Sequence, residues 1–331
     1  MLTTYILFIV STILIYYSSE YFVNGIEWVG CHYKVSKNAT GTILAALGTA
    51  LPESVITFMA VFFGQTLEDK NIGVGAAIGG PLVLATLGYA MIGFCFLMCN
   101  RKQQSNWLTN TTILRLSYNQ SWFIPLFVFQ LLLGLYSFPL KHLFGFGLIF
   151  AYFYYLKLEM KGSDDPEHLD FLEPLNIRPY DKHPAKHYIL LQTGISLLIM
   201  LISSHVFVVQ LEHLAPRWGI PGQTFALFLS PIATELPEII NVLIWVRQGK
   251  HLLALGNLSG SMMIQTTLPS ALGLLFTPWI LDNASIFSSS ITLLAIVSLF
   301  LLLRKSALTS KRMALFFLFY LLFIVGACFI A

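Results

Sequence analysis

Ten runs of apolar residues follow one another along this chain with few charges inside them, and no other feature limits its folding so strongly. They cover approximately 2–23, 39–63, 72–97, 122–138, 143–156, 188–209, 220–246, 252–277, 284–303 and 313–330. Most reach the roughly 20 residues that a helix needs to cross the hydrocarbon core of a bilayer. In hydrocarbon every backbone N–H and C=O must be bonded within the chain, so runs of this length are expected as helices. The fourth and fifth are short and nearly meet at Phe138 and Leu140, which leaves a re-entrant hairpin open for that pair.

Charge placement supports the same partition. Lysine and arginine accumulate in cytoplasmic loops. With the N-terminus outside, every one of the 19 except Lys70, Lys141 and Arg217 falls on the cytoplasmic side. An even number of spans then puts both termini outside. The expected location is an integral multi-pass protein of the cell (inner) membrane, in contact with lipid. Of the 331 residues, 56% are hydrophobic and only 11% charged, which a soluble fold does not tolerate. The net charge of +3 reports topology, because no basic face is interleaved with aromatic residues, and nucleic acid is excluded as a partner. The four cysteines form no CxxC pair, and HExxH, GxSxG and P-loop patterns are missing, so neither a catalytic site nor a resident cofactor is expected.

The chain repeats itself. Leu47-Gly48-Thr49-Ala50-Leu51-Pro52-Glu53 is echoed by Ile232-Ala233-Thr234-Glu235-Leu236-Pro237-Glu238, an offset of 185 residues (53 to 238). At the same offset Ser18, Ser19, Val23 and Glu27 meet Ser203, Ser204, Val208 and Glu212. A second block, Gly75 to Gly80, matches Gly256 to Ser261. An odd number of helices separates each motif from its partner, so the two halves are inverted relative to each other. The expected fold is an all-α membrane protein of about ten transmembrane helices in two inverted five-helix repeats. The first repeat takes residues 1–158, with its motif region at 41–97. A polar cytoplasmic linker takes 159–187, and the second repeat 188–331, with its motif region at 220–277.

Glu53, Glu235 and Glu238 lie inside apolar runs, where an acid costs on the order of 3 kcal/mol even on the lenient insertion scale. Bound cations, protons or His205 are the candidates to neutralise them. Pro52 and Pro237 free the carbonyls of Gly48 and Ala233. Thr49 and Thr234 add hydroxyls at the same level, and Asn257, Ser261 and Gln265 could add oxygens from the eighth helix. Each threonine or serine alone reads more simply as bonded back to its own helix. Together they make an all-oxygen set that suits calcium, with sodium or magnesium as alternatives. Glu235 and Glu238, three residues apart, are expected on one helix face.

The stretches GTALPE, ATELPE and GNLSGS resemble the alpha repeats of the sodium/calcium exchanger family, within the calcium/cation antiporter superfamily. The resemblance implies alternating access, with Glu53 and Glu238 as central calcium ligands. It also implies support from Thr49, Thr234, Ser261 and the carbonyls of Ala46 and Pro231. The chain departs from the family at Gly80, Pro81 and Leu84, where polar ligands are usual, and at Ala50, Glu235, Met262 and Gln265. The expected function is a secondary cation antiporter that exports calcium in exchange for sodium or protons through a midplane carboxylate site. A non-transporting membrane sensor or structural protein with a degenerate site is the alternative.

Overall fold

The computed structural model describes residues 2–32, 45–98, 110–161, 173–181, 184–247, 249 and 251–330. Every regular element among them is helical. The helices are α1 (Leu2–His32), α2 (Ala45–Phe63), α3 (Leu67–Val83, continued through a π turn at Leu84–Gly88 into Tyr89–Met98), α4 (Asn110–Leu135) and α5 (Leu143–Lys161). After the central linker come α6 (Lys186–Trp218), α7 (Gly222–Arg247), α8 (His251–Phe276), α9 (Asn283–Arg304) and α10, which is built from Ser310–Ala314 and Phe317–Ile330. Five segments are long and apolar enough to cross a membrane: Leu2–Val29, Leu67–Met98, Lys186–Trp218, Asn283–Arg304 and Ser310–Ala327. A sixth is counted if the two arms of α7 form one span. The protein is an all-α, multi-pass membrane protein.

Hydropathy alone misplaces two helix starts. α3 begins at Leu67 because Thr66 and Asp69 close a capping box, Asp69 N–H donating to Thr66 Oγ1 at 3.1 Å and Thr66 N–H to Asp69 Oδ2 at 2.8 Å. α4 begins at Asn110, well before its apolar run. Its polar first turns are held by Arg115, whose Nε donates to Glu159 Oε1 on α5 at 3.0 Å. At 1.5 Å per residue α4 and α5 are about 39 and 28 Å long.

Two prolines shape the centre. The arms Gly222–Leu236 and Glu238–Arg247 of α7 meet at 45° across Pro237, a residue with no N–H to give the helix. In α3, Pro81 is followed by the π turn, where Tyr89 N–H donates to Leu84 O, five residues back. One residue more per turn rotates everything after it by about 100° about the helix axis.

Helices from both halves interlock. α2 packs on α3, α7 and α8, and α3 lies along α7. Glycines on α3 permit this approach. A Cβ on Gly75 would stand 2.0 Å from the Gln223 carbonyl oxygen, and one on Gly79 would stand 2.7 Å from Leu227 O and 2.8 Å from Pro231 Cγ. α1 and α6 form the most extensive helix pair of the fold, with Ser18, Ser19, Ser203 and Ser204 all buried.

The linker is not wholly solvated, as its composition suggests. Asn24 Nδ2 donates to Pro174 O at 3.2 Å, and Asn176 N–H donates to Asn24 Oδ1 at 3.0 Å. Gln192 bridges Asn24 Oδ1 at 2.9 Å and Ile177 N–H at 3.0 Å. Leu175 is fully buried among these groups' helices. Backbone polar groups of the linker find buried side-chain partners on α1 and α6, which a hydropathy profile does not register.

Lys141, in the α4–α5 connection, is buried and donates to Tyr136 O at 2.8 Å and Trp279 O at 2.9 Å. Burial lowers its ammonium below the ordinary lysine range of 10.5. The unfolded chain therefore binds more protons than the folded one between the folded value and 10.5, and stability from this group rises with pH across that window. Lys141→Met removes both donors and is expected to cost about 1–3 kcal/mol. A melting curve of the purified protein checks this; an unchanged midpoint would show that the clamp contributes nothing.

Candidate functional site

The three intramembrane acids are almost wholly enclosed, with 1% of Glu53, 1% of Glu235 and 0% of Glu238 exposed. Ionised carboxylates buried to this degree need hydrogen-bond donors or a counter-charge. Glu235 has donors: Thr234 Oγ1 lies 2.8 Å from its Oε1, and Gln265 Nε2 lies 3.0 Å from its Oε2. Thr234 carries a single hydroxyl hydrogen and also lies 3.2 Å from Ser230 O, so it bonds back to its own helix or serves Glu235, not both. Glu238 Oε1 accepts from Asn257 Nδ2 at 3.2 Å.

Glu53 is different. Among the described residues no side chain other than the Glu235 carboxyl comes within hydrogen-bonding reach of its carboxyl oxygens, and the backbone of Gly80 is the group beside it that favours the charged form. The group lies over Gly80, where a Cβ would stand 2.0 Å from Oε2 and 2.4 Å from Oε1. It comes within hydrogen-bonding range of the Glu235 carboxyl, and the charge of Glu238 also bears on it. No lysine, arginine or histidine is among the groups that act on it. A buried carboxylate facing a second carboxylate, with no side-chain donor, is an arrangement that a cation or a proton completes.

The sequence-predicted residues fall into place unevenly. Glu53, Thr234, Glu235 and Gln265 come together. Glu238 hydrogen-bonds to Asn257, and its charge also acts on Glu53. Asn257 and Gln265 are eight residues apart on α8, roughly 12 Å along the axis. Glu235 and Glu238, expected on one helix face, thus hydrogen-bond to different levels of α8. Glu235 is the residue of α7 that meets Glu53 directly. Ser261 is fully buried on α8, one turn from each of Asn257 and Gln265. Pro231 is buried against Gly79. Ala46 and Thr49 lie in the first turns of α2, where the side chains are outside the described residues.

His205 does not neutralise the acids. It is exposed, and its ring meets Phe63 edge-on with 5.7 Å between centroids. Gly80 is the residue whose part was hidden in the sequence: it reads there as a lost polar ligand, and the structure makes it the space in which the Glu53 carboxyl sits.

Among the described residues no three His, Cys, Asp or Glu side chains cluster closely enough to hold a metal ion by themselves. A cation between Glu53 and Glu235 would therefore complete its shell with neutral oxygens. Gln265 Oε1 is buried without a hydrogen-bond partner and adjoins this pair through its own amide nitrogen. Hard cations such as calcium take oxygens of this mixed kind.

Comparison with known proteins follows the same lines. A family profile described as "Sodium/calcium exchanger protein" matches residues 3–160 and 188–329. The inner membrane protein YrbG of Escherichia coli is 24% identical over 306 residues, covering 90% of this chain and 87% of its own. The sodium/calcium exchanger MaX1 of Methanosarcina acetivorans is 29% identical over 133 residues, 40% of this chain and 38% of its own. A solved structure of the sodium-calcium exchanger NCX_Mj superposes with a TM-score of 0.63 at 23% identity, covering 97% of both chains.

Proposed function

This chain belongs to the sodium/calcium exchanger family, and from that membership we propose that it exports calcium in exchange for protons or sodium through the carboxylates of Glu53, Glu235 and Glu238. Secondary active transport of cations, without enzymatic chemistry, is the activity of this fold and family. The observation that supports the finer reading is the meeting of Glu53 and Glu235, one from each half of the chain, with no side-chain donor on Glu53.

In this reading ten helices cross the membrane as two inverted repeats, 1–158 and 188–331, with both termini outside and the 159–187 linker cytoplasmic. The motif regions 41–97 and 220–277 approach the bilayer midplane from opposite sides. Glu53 and Glu235 hold the transported ion, with Glu238 as the second charge on α7. Thr234, Gln265, Ser261 and Asn257 supply neutral oxygens. Thr49 and the carbonyls of Ala46 and Pro231 complete the shell.

Charge balance argues for protons as one coupling ion. A calcium ion offsets two carboxylates, and three are present. When the ion leaves, the Glu53–Glu235 pair needs a positive charge of its own, and a proton shared between the two carboxyls provides it. Gly80, Pro81 and Leu84 speak less for a decayed site than for a rebuilt one, because the missing side chain at Gly80 is what admits the Glu53 carboxyl.

Purified protein in liposomes, loaded with calcium and placed under a sodium or a pH gradient, tests the reading. Calcium flux driven by a pH gradient is expected. Glu235→Gln, which keeps the shape and removes one charge of the pair, is expected to lower calcium flux and to abolish its response to the pH gradient. Flux driven by sodium alone and indifferent to pH in the wild type would reject the proton variant.

A further inference from the structure

A second buried polar group stands beside the carboxylates and is not used by the transport reading above. Tyr89 on α3, Gln120 on α4 and Ser259 on α8 are each 0–1% exposed. Tyr89 Oη and Ser259 Oγ are 2.9 Å apart, and Gln120 Nε2 donates to Tyr89 Oη at 3.0 Å and to Ser259 Oγ at 3.3 Å. Three helices are tied at one point. The hydrogens of this triad are in excess: Gln120 gives two, the hydroxyls exchange one, and one hydroxyl hydrogen is left over.

Two features of α3 put Tyr89 there. The π turn at Leu84–Gly88 ends on Tyr89 and rotates it relative to the glycine face that packs on α7. Gly88 lets the backbone approach α8, since a Cβ there would stand 2.9 Å from Leu258 Cδ1, next to Ser259. Ser259 in turn lies two residues from Asn257, which donates to Glu238, and two from Ser261, so the triad anchors α8 from the side opposite both. The charge of Glu238 bears on the Tyr89 hydroxyl. The same helix that lacks polar side chains at Gly80, Pro81 and Leu84 therefore delivers a hydroxyl one turn further on, to the Glu238 end of the site.

We infer that Tyr89 is a positioning residue for the cation site: held by Gln120, its hydroxyl fixes Ser259 and with it the Asn257–Ser261 segment of α8 against Glu238. The inference rests on the carboxylate-site reading and adds the support that keeps Glu238 and Asn257 in register. Groups that orient metal ligands without touching the metal affect affinity by about one to two orders of magnitude when removed.

Calcium titration of the purified full-length protein, followed through its melting temperature, tests this. Tyr89→Phe removes one oxygen and no volume. It is expected to raise the calcium concentration for half-maximal stabilisation by about tenfold. Ser259→Ala, which breaks the same bond from α8, is expected to do likewise, and the double variant no more than either. Tyr155→Phe is the control for a merely structural hydroxyl, since Tyr155 Oη donates to Asn119 Oδ1 at 3.1 Å away from the acids; its calcium midpoint is expected to stay at the wild-type value. A wild type stabilised by calcium together with unshifted midpoints in Tyr89→Phe and Ser259→Ala would overturn the positioning role alone. A wild type that responds to no calcium would overturn the carboxylate site itself.

Discussion

Glu53→Gln is expected to abolish calcium uptake while leaving a folded protein that melts higher than the wild type in the absence of cation. The two halves of this result have one cause. The Glu53 carboxyl faces that of Glu235 and has no cationic or amide side chain beside it, so the ion-free site carries an acidic pair that a single backbone group cannot compensate. The amide introduced by the substitution donates to Glu235 and removes a charge, which relieves that pair. The same change takes away the charge a divalent cation needs. Ligand charge is a main determinant of calcium affinity in oxygen sites, and uptake is expected to fall by about two orders of magnitude or more. Glu238→Gln is expected to lose uptake without the gain in stability, because Glu238 already has Asn257 as a donor. Radiolabelled calcium uptake into liposomes, beside melting curves without cation, separates the two variants. Wild-type uptake in Glu53→Gln would remove this residue from the site.

Gly80→Ala and Gly75→Ala add the same methyl group on neighbouring turns of α3 and are expected to fail in different ways. At Gly75 the new Cβ would meet the backbone carbonyl of Gln223 at 2.0 Å, and backbone in a packed helix pair cannot step aside. Overpacking of this kind costs about 1–3 kcal/mol, with the upper end expected where backbone is the obstacle. Gly75→Ala should therefore reduce the yield of folded protein and its melting temperature. At Gly80 the obstacle is the end of the Glu53 side chain, which can rotate. Gly80→Ala should fold, keep all three acids, and lose its response to calcium because the carboxyl has been pushed from its place. A Gly80→Ala protein stabilised by calcium as well as the wild type would show that Glu53 does not act from that position.

Much of the architecture is legible in one dimension. Apolar runs, the sidedness of lysine and arginine, and two proline-glutamate motifs at a fixed offset identify a membrane protein built of helices with a repeated acidic element. These signals are local or translational, and a chain cannot hide them. Helix ends are less legible there: α4 starts far ahead of its apolar run, in polar turns where Arg115 pairs with Glu159 on α5, a partner that hydropathy does not see. The docked linker escaped for the same reason, since Asn24 and Gln192 look like ordinary polar residues at a helix end until the backbone of 174–177 is laid against them.

By itself the sequence determined the solvent of this protein, the class of its elements, the pairing of its halves and which acids must be buried, because each follows from the composition of single segments and their spacing. The meeting of Glu53 with Glu235, the hydrogen bond of Glu238 to Asn257 and the room that Gly80 leaves for a carboxyl emerge only from packing in three dimensions. Those outcomes depend on the bend of α7 at Pro237, the extra residue in the π turn of α3, and the depth to which glycines let helices of opposite halves approach. Each is a matter of a few ångströms and a rotation of one residue between segments far apart in the chain, quantities that no single segment contains.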